Sequence, residues 1–147
     1  MEENYVRQIL EAYEGEVAGA AYFDALRRCY PERARFLEEC AALERATAER
    51  LLPLVHKYGL TPATDALLAR VGGRDARAET GREWTAFLRE SADAYAGYVA
   101  GFLALEAMAP AEDRAVLGHL TAHEVELIRR MRAESGLPGT GGRAPGV

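Results

Sequence analysis

Two prolines, Pro31 and Pro110, each stand between long stretches of helix-forming sequence, and their placement constrains the fold more than any other feature. Proline lacks the N–H that a helix interior needs, yet it fits the first helical turn, where that donor has no partner anyway. Pro31 therefore predicts a first helix from about Glu3 to Cys29 and a second from Pro31 to Tyr58, with Gly59 as the C-cap. Pro53 predicts a kink or early end within the second helix. Pro110 likewise separates a third helix, from about Glu79 to Met108, from a fourth running to Ser135. Alanine, leucine, arginine and glutamate dominate these stretches, and β-branched runs are scarce, so helix propensity agrees with the breakers.

Between Leu60 and Ala78 the apolar period falters, with Thr61, Pro62, Gly72 and Gly73 as punctuation. This segment is too long for a hairpin turn and reads as a crossover, with a short helix over Asp65 to Val71. The expectation is an all-α protein: an antiparallel four-helix bundle over residues 1–135, with one long crossover between helices 2 and 3. Residues 136–147, rich in glycine and proline without an apolar pattern, read as a flexible tail. The two hairpins also resemble each other. A shift of 79 residues aligns Phe23 with Phe102 and Leu26 with Leu105, and a shift of 80 aligns Leu37 with Leu117 and Glu44 with Glu124. A duplicated helical pair would leave this pattern.

Eighteen basic against twenty-three acidic residues, interspersed along every helix, leave no basic stripe for nucleic acid and no cationic tail for an anionic membrane. No apolar run approaches the ~20 residues that span a bilayer, and the acidic N-terminus lacks a secretory pattern. Cys29 and Cys40 form no CxxC pair and are expected to be reduced packing residues of a cytoplasmic protein.

Three glutamates stand where these helices call for apolar core residues. Glu16 falls in the stripe Ile9, Tyr13, Ala20, Phe23; Glu44 in Leu37, Cys40, Thr47, Leu51; and Glu124 in Leu117, Leu120, Leu127, Met131. An ionised carboxylate removed from water must be paired, bound to a metal or neutralised by a raised pKa. Measured from the prolines, Glu16 lies 15 residues before Pro31 and Glu44 13 after it, while Glu124 lies 14 after Pro110 and Tyr95 15 before it. At 1.5 Å per residue the four side chains fall in one layer, roughly 20 Å from the hairpin ends. His123 adjoins Glu124, but neighbouring residues project about 100° apart, so His123 is expected to reach the layer only by a rotation of the helix. Tyr95, Tyr98 and Thr47 are expected around the layer, and Glu90 and Glu106 are read as ordinary surface charges.

The segment from Gly15 to Tyr22, Gly-Glu-Val-Ala-Gly-Ala-Ala-Tyr, together with Leu-Glu-Arg-Ala-Thr from Leu43 to Thr47 and the long crossover, resembles the ferritin-like superfamily, rubrerythrin-like proteins above all. In that family a glutamate from each of two helices and a Glu-x-x-His pair from each of the other two hold two metal ions. The resemblance implies iron or manganese at Glu16, Glu44 and Glu124, while His123 is a candidate nitrogen ligand by its place beside Glu124, with Tyr95, Tyr98 and Thr47 nearby. It also implies oxidoreductase chemistry with dioxygen or peroxide. The chain departs from the pattern at Thr47 and Leu127, which stand where the histidines belong, and at Tyr95, which replaces a glutamate. The alternative expectation is therefore a metal-free bundle serving as an interaction or oligomerisation module. The small residues Ala94, Gly97, Ala100 and Gly101 permit close helix packing or a homodimer face.

Overall fold

The computed structural model describes residues 2–136, so of the predicted tail only Gly136 falls within it, as the last residue of a helix. Five helices follow in order: α1 (Glu2–Leu26), α2 (Ala34–Lys57), α3 (Asp65–Arg77), α4 (Trp84–Met108) and α5 (Arg114–Gly136). No strand occurs among the described residues. A single 3-10 turn precedes α2 at Pro31–Arg33 and another precedes α5 at Ala111–Asp113; Pro31 opens the first turn, whereas Pro110 stands just before the second.

Local signals set most boundaries. Gly59, at φ +61°, closes α2: its N–H bonds the His56 carbonyl while the Leu60 N–H reaches Val55, as in a Schellman cap. Thr64 caps α3 by accepting from the Leu67 N–H, and the Glu83 carboxylate caps α4 by accepting from Thr85 and Ala86. That cap moves the start of α4 five residues beyond the predicted Glu79. Pro53 does not end α2; it lies on the solvent side, where water can satisfy the carbonyl it strands.

The crossover differs most from expectation. The short helix read over Asp65 to Val71 continues to Arg77 and packs its buried residues Leu68, Gly72 and Ala76 along α1. Gly72 is a contact residue rather than a breaker. A Cβ there would meet the Ala18 carbonyl oxygen at 2.5 Å and the Tyr22 nitrogen at 2.7 Å, so glycine lets the two backbones touch.

In the bundle, α1 packs on α2 and α3, α4 packs on α5, and α2 meets α5, whereas α1 barely touches α4. The core divides in two. One cluster gathers Phe23, Leu26, Leu37, Phe87, Leu127 and Met131, and the other Ile9, Leu51, Leu54, Leu105, Leu117 and Leu120. Each such side chain, fully buried, contributes about 1.5–3 kcal/mol relative to exposure. Between the clusters runs the polar layer, flanked by Ile9 and Phe23 on α1, by Cys40 and Leu51 on α2, and by Leu120 and Leu127 on α5.

Candidate metal centre

Glu16, Glu44, His123 and Glu124 are all buried, at 5–8% exposure, in an interior that is otherwise apolar on both sides. His123 Nε2 lies 2.6 Å from Glu44 Oε2 and 3.2 Å from Glu16 Oε2. The first contact is a hydrogen bond, while the second is an ion-pair approach only, so Glu16 Oε2 is buried without a hydrogen bond. His123 Nδ1 is likewise buried without a partner. One oxygen from each glutamate and one ring nitrogen lie within 4.8 Å of one another, drawn from α1, α2 and α5.

His123 reaches this position without the helix rotation that its spacing implied. Helix α5 is covered by both α2 and α4, and its buried arc includes Leu120, Thr121, His123, Glu124, Leu127 and Ile128. Two residues about 100° apart both fit inside so wide an arc. Glu124, read as a ligand, faces the same interior but stands outside the three-atom set and lines a groove beside it. Tyr95 lines that groove too, and burial foremost, then Tyr22, Glu44 and Glu124, push its hydroxyl well above the usual tyrosine range. Tyr98 is 56% exposed on the groove's edge. Thr47 is buried, but its hydroxyl donates to the Leu43 carbonyl of its own helix at 2.9 Å.

Burial, then the neighbouring Glu16, holds the Glu44 carboxyl well above the carboxylate range, against the pull of His123. Burial alone would lower His123, but the Glu16 and Glu44 carboxyl groups beside it outweigh that and raise the imidazole to about 10. Glu124 is pushed up to about 7, by burial first and the Glu16 charge second. Glu44, His123 and Glu124 thus hold protons as a coupled group to higher pH than the free side chains would. The Cys40 thiol is pushed up to about 12 by burial and by Glu44, so it stays protonated and packs as an apolar group.

Three supporting features have no stripe to announce them. Gly19 on α1 opens the space into which the Glu44 carboxylate projects; a Cβ there would overlap Oε1 and lie 3.1 Å from Cδ. Glu106, read as a surface charge, is half-buried and accepts a 2.6 Å bond from Thr121, tying α4 to α5. Asp113, 1% exposed in the turn before α5, accepts from Tyr5 at 2.8 Å, Tyr58 at 2.5 Å and Lys57 at 2.6 Å. Glu90 does remain an exposed charge, paired with Arg82.

The groove runs between α1, α3 and α4, encloses about 700 Å³ and reaches down to Glu16, Glu44 and Glu124. It exists because α3 occupies the side of α1 while α4 stands apart from it. Comparison with protein-family models, curated proteins and solved structures finds no match to the chain.

Proposed function

We propose that this chain is a ferritin-like metal protein in which Glu16, Glu44 and His123 hold an iron or manganese ion, with Glu124 adjacent. The observation that carries this reading is the convergence of two carboxylate oxygens and an imidazole nitrogen from three helices, two of whose buried polar atoms lack hydrogen bonds. Anionic oxygen with a single imidazole suits iron or manganese, and Cys40 is not among the converging ligand atoms. His123 supplies nitrogen from the residue before the glutamate, in place of the Glu-x-x-His spacing. Bound there, the ion would supply redox chemistry with dioxygen or peroxide. The chain's own part is to neutralise the ion with Glu16 and Glu44, orient His123, and exclude water with the two apolar clusters. Both cysteines are free thiols, which supports a reducing, cytoplasmic setting.

Metal analysis of untagged protein after iron- or manganese-supplemented expression tests the reading. Near-stoichiometric metal, lost in Glu16→Gln and His123→Ala, is expected; under about a tenth of an equivalent overturns it.

A second reading, an interaction module, draws on α4. Residues 94–105 of α4 carry no charge, and within this stretch Tyr98 and Leu103 are 56% and 54% exposed. Such a stretch is ordinarily covered. A second copy of the chain would cover it as a homodimer, and sedimentation velocity of wild type against Leu103→Glu tests this: a dimer that becomes a monomer is expected, and a monomeric wild type at all concentrations removes the reading.

A further inference from the structure

The groove above the carboxylate layer has a composition unlike the rest of the surface. Six acidic residues line it, Glu11, Glu16, Glu44, Asp75, Glu79 and Glu124, and among the described residues no lysine, arginine or histidine does. Asp75 and Glu79, at one end, are neutralised from outside by Arg74 at 3.2 Å and Arg82 at 2.6 Å. Glu11 meets Arg7 only at 3.9 Å, with both side chains exposed. On the floor Glu16 faces His123 Nε2 at 3.2 Å, whereas Glu124, more than nine-tenths buried, meets no basic side chain among the described residues.

The walls are apolar and aromatic. Phe102, Leu105 and Ala12 line one stretch, and the tyrosines Tyr22, Tyr95 and Tyr98 another, with the rings of Tyr95 and Tyr98 6.1 Å apart. A volume of about 700 Å³ lies within the range of small-molecule sites. A bare metal ion has no use for such walls. An organic cation uses both parts, since its ammonium group finds carboxylate and tyrosine faces while its apolar body is desolvated against the walls.

We propose that this groove binds a small organic amine, its ammonium group seated at the floor beside Glu124 and its apolar body lying along Tyr98, Phe102 and Leu105. This assigns a substrate class to the site proposed above and rests on that reading for any chemistry that follows, although holding an ammonium group needs no ion. With an ion on Glu16, Glu44 and His123, Glu124 is the floor carboxylate left to receive the amine.

Calorimetric titration of the full chain, first stripped with chelator and then loaded with manganese, tests the proposal with three probes of one shape: 2-phenylethylamine, 2-phenylethanol and 3-phenylpropanoate. The amine is expected to bind at least about ten times more tightly than the alcohol, with the carboxylate weakest. Gly101→Leu supplies a variant that fills the groove without a clash at its Cβ, which would meet nothing within 4 Å at this groove-lining position. It is expected to weaken the amine by about tenfold or more while metal uptake is unchanged. Equal binding of amine and alcohol, or amine binding untouched by Gly101→Leu, overturns the proposal. Failure of all three probes with normal metal uptake overturns it alone, whereas amine binding by a protein that takes up no metal supports it and removes the metal reading.

Discussion

Gly19 on α1 and the Glu44 carboxylate on α2 compete for one space: a Cβ on residue 19 would overlap Glu44 Oε1. The glutamate can turn inward to His123 only because α1 presents no side chain at that point. Gly19→Ala should therefore act on the site and not on the fold. In a helix interior, alanine is favoured over glycine by about 0.8–1 kcal/mol, so the melting temperature should hold or rise even though the Glu44 head group must move. Metal affinity should fall by about 10–100-fold, the usual cost of disturbing the groups that orient a ligand. Parallel thermal melts and metal titrations check this, and unchanged affinity would show that Glu44 does not need its present position.

The proton-laden cluster makes a distinct pH signature. Glu124 has a higher pKa in the folded protein, about 7, than its ordinary 4.5, so the native state holds that proton more tightly. The resulting stability is complete below about 4.5 and lost as pH rises through 7. His123, raised from 6.5 to about 10, behaves in the same sense: its contribution is complete below 6.5 and lost as pH rises through 10. Chelator-treated protein should thus lose stability steadily from pH 5 to pH 10 in urea denaturation. Glu124→Gln should remove roughly 2–3 kcal/mol of that decline, confined to the lower half of the range. A flat profile in the wild type would mean that the carboxyls are solvated. Metal binding should reverse the trend, because the ion displaces protons from its ligands.

The legibility of the chain followed the physics of each signal. Pro31, Pro110 and Gly59 act through their own backbones, so the hairpins could be read locally. The burial of Glu16, Glu44 and Glu124 was visible because each interrupts an otherwise apolar stripe. His123 was already a candidate, but that it and not Glu124 converges with Glu16 and Glu44 could not be read from spacing, since this depends on how much of α5 its neighbours cover. Helix α3 was half hidden for a related reason. Gly72 and Gly73 look alike in sequence, yet one meets the α1 backbone and the other meets nothing nearer than Arg77 Nη1 at 3.6 Å. Asp113 lies in a turn with no stripe to interrupt, and its partners Tyr5, Lys57 and Tyr58 are at least 55 residues away.

Asp113 gives a prediction of opposite pH sense. Burial pushes its carboxyl up, but the bonds from Lys57, Tyr58 and Tyr5 prevail and hold it below its ordinary 3.8. Its contribution is therefore complete above about 3.8 and disappears as pH falls through the lower folded value. Asp113→Asn keeps the shape and removes the charge that three donors share. It should cost about 1.5–3 kcal/mol at pH 7, the range for hydrogen bonds to charged groups, and the gap to wild type should close in strong acid. Acid and urea titrations of the two proteins measure this. A constant gap from pH 7 to pH 2 would assign the loss to packing.

The crossing of α3 over α1 offers the sharpest contrast between neighbouring positions. A Cβ on Gly72 would lie 2.5 Å from the Ala18 oxygen, 2.7 Å from the Tyr22 nitrogen and 3.0 Å from the Ala21 Cβ. Two of those atoms belong to the backbone of α1, so no change of rotamer relieves the clash, and α3 must move away as a body. Gly72→Ala should cost about 1–3 kcal/mol, as overpacking does, and should speed amide exchange over residues 65–77 while α2 and α5 stay protected. Gly73→Ala, in open space on the same helix, should gain up to about 1 kcal/mol from helix propensity. Because Val71, Gly72 and Asp75 form one wall of the groove, the first variant should also weaken any ligand held there, and the second should not. Hydrogen exchange followed by mass spectrometry, run on both variants, decides the matter: equal protection of α3 in the two would mean that α3 does not depend on the glycine contact with α1.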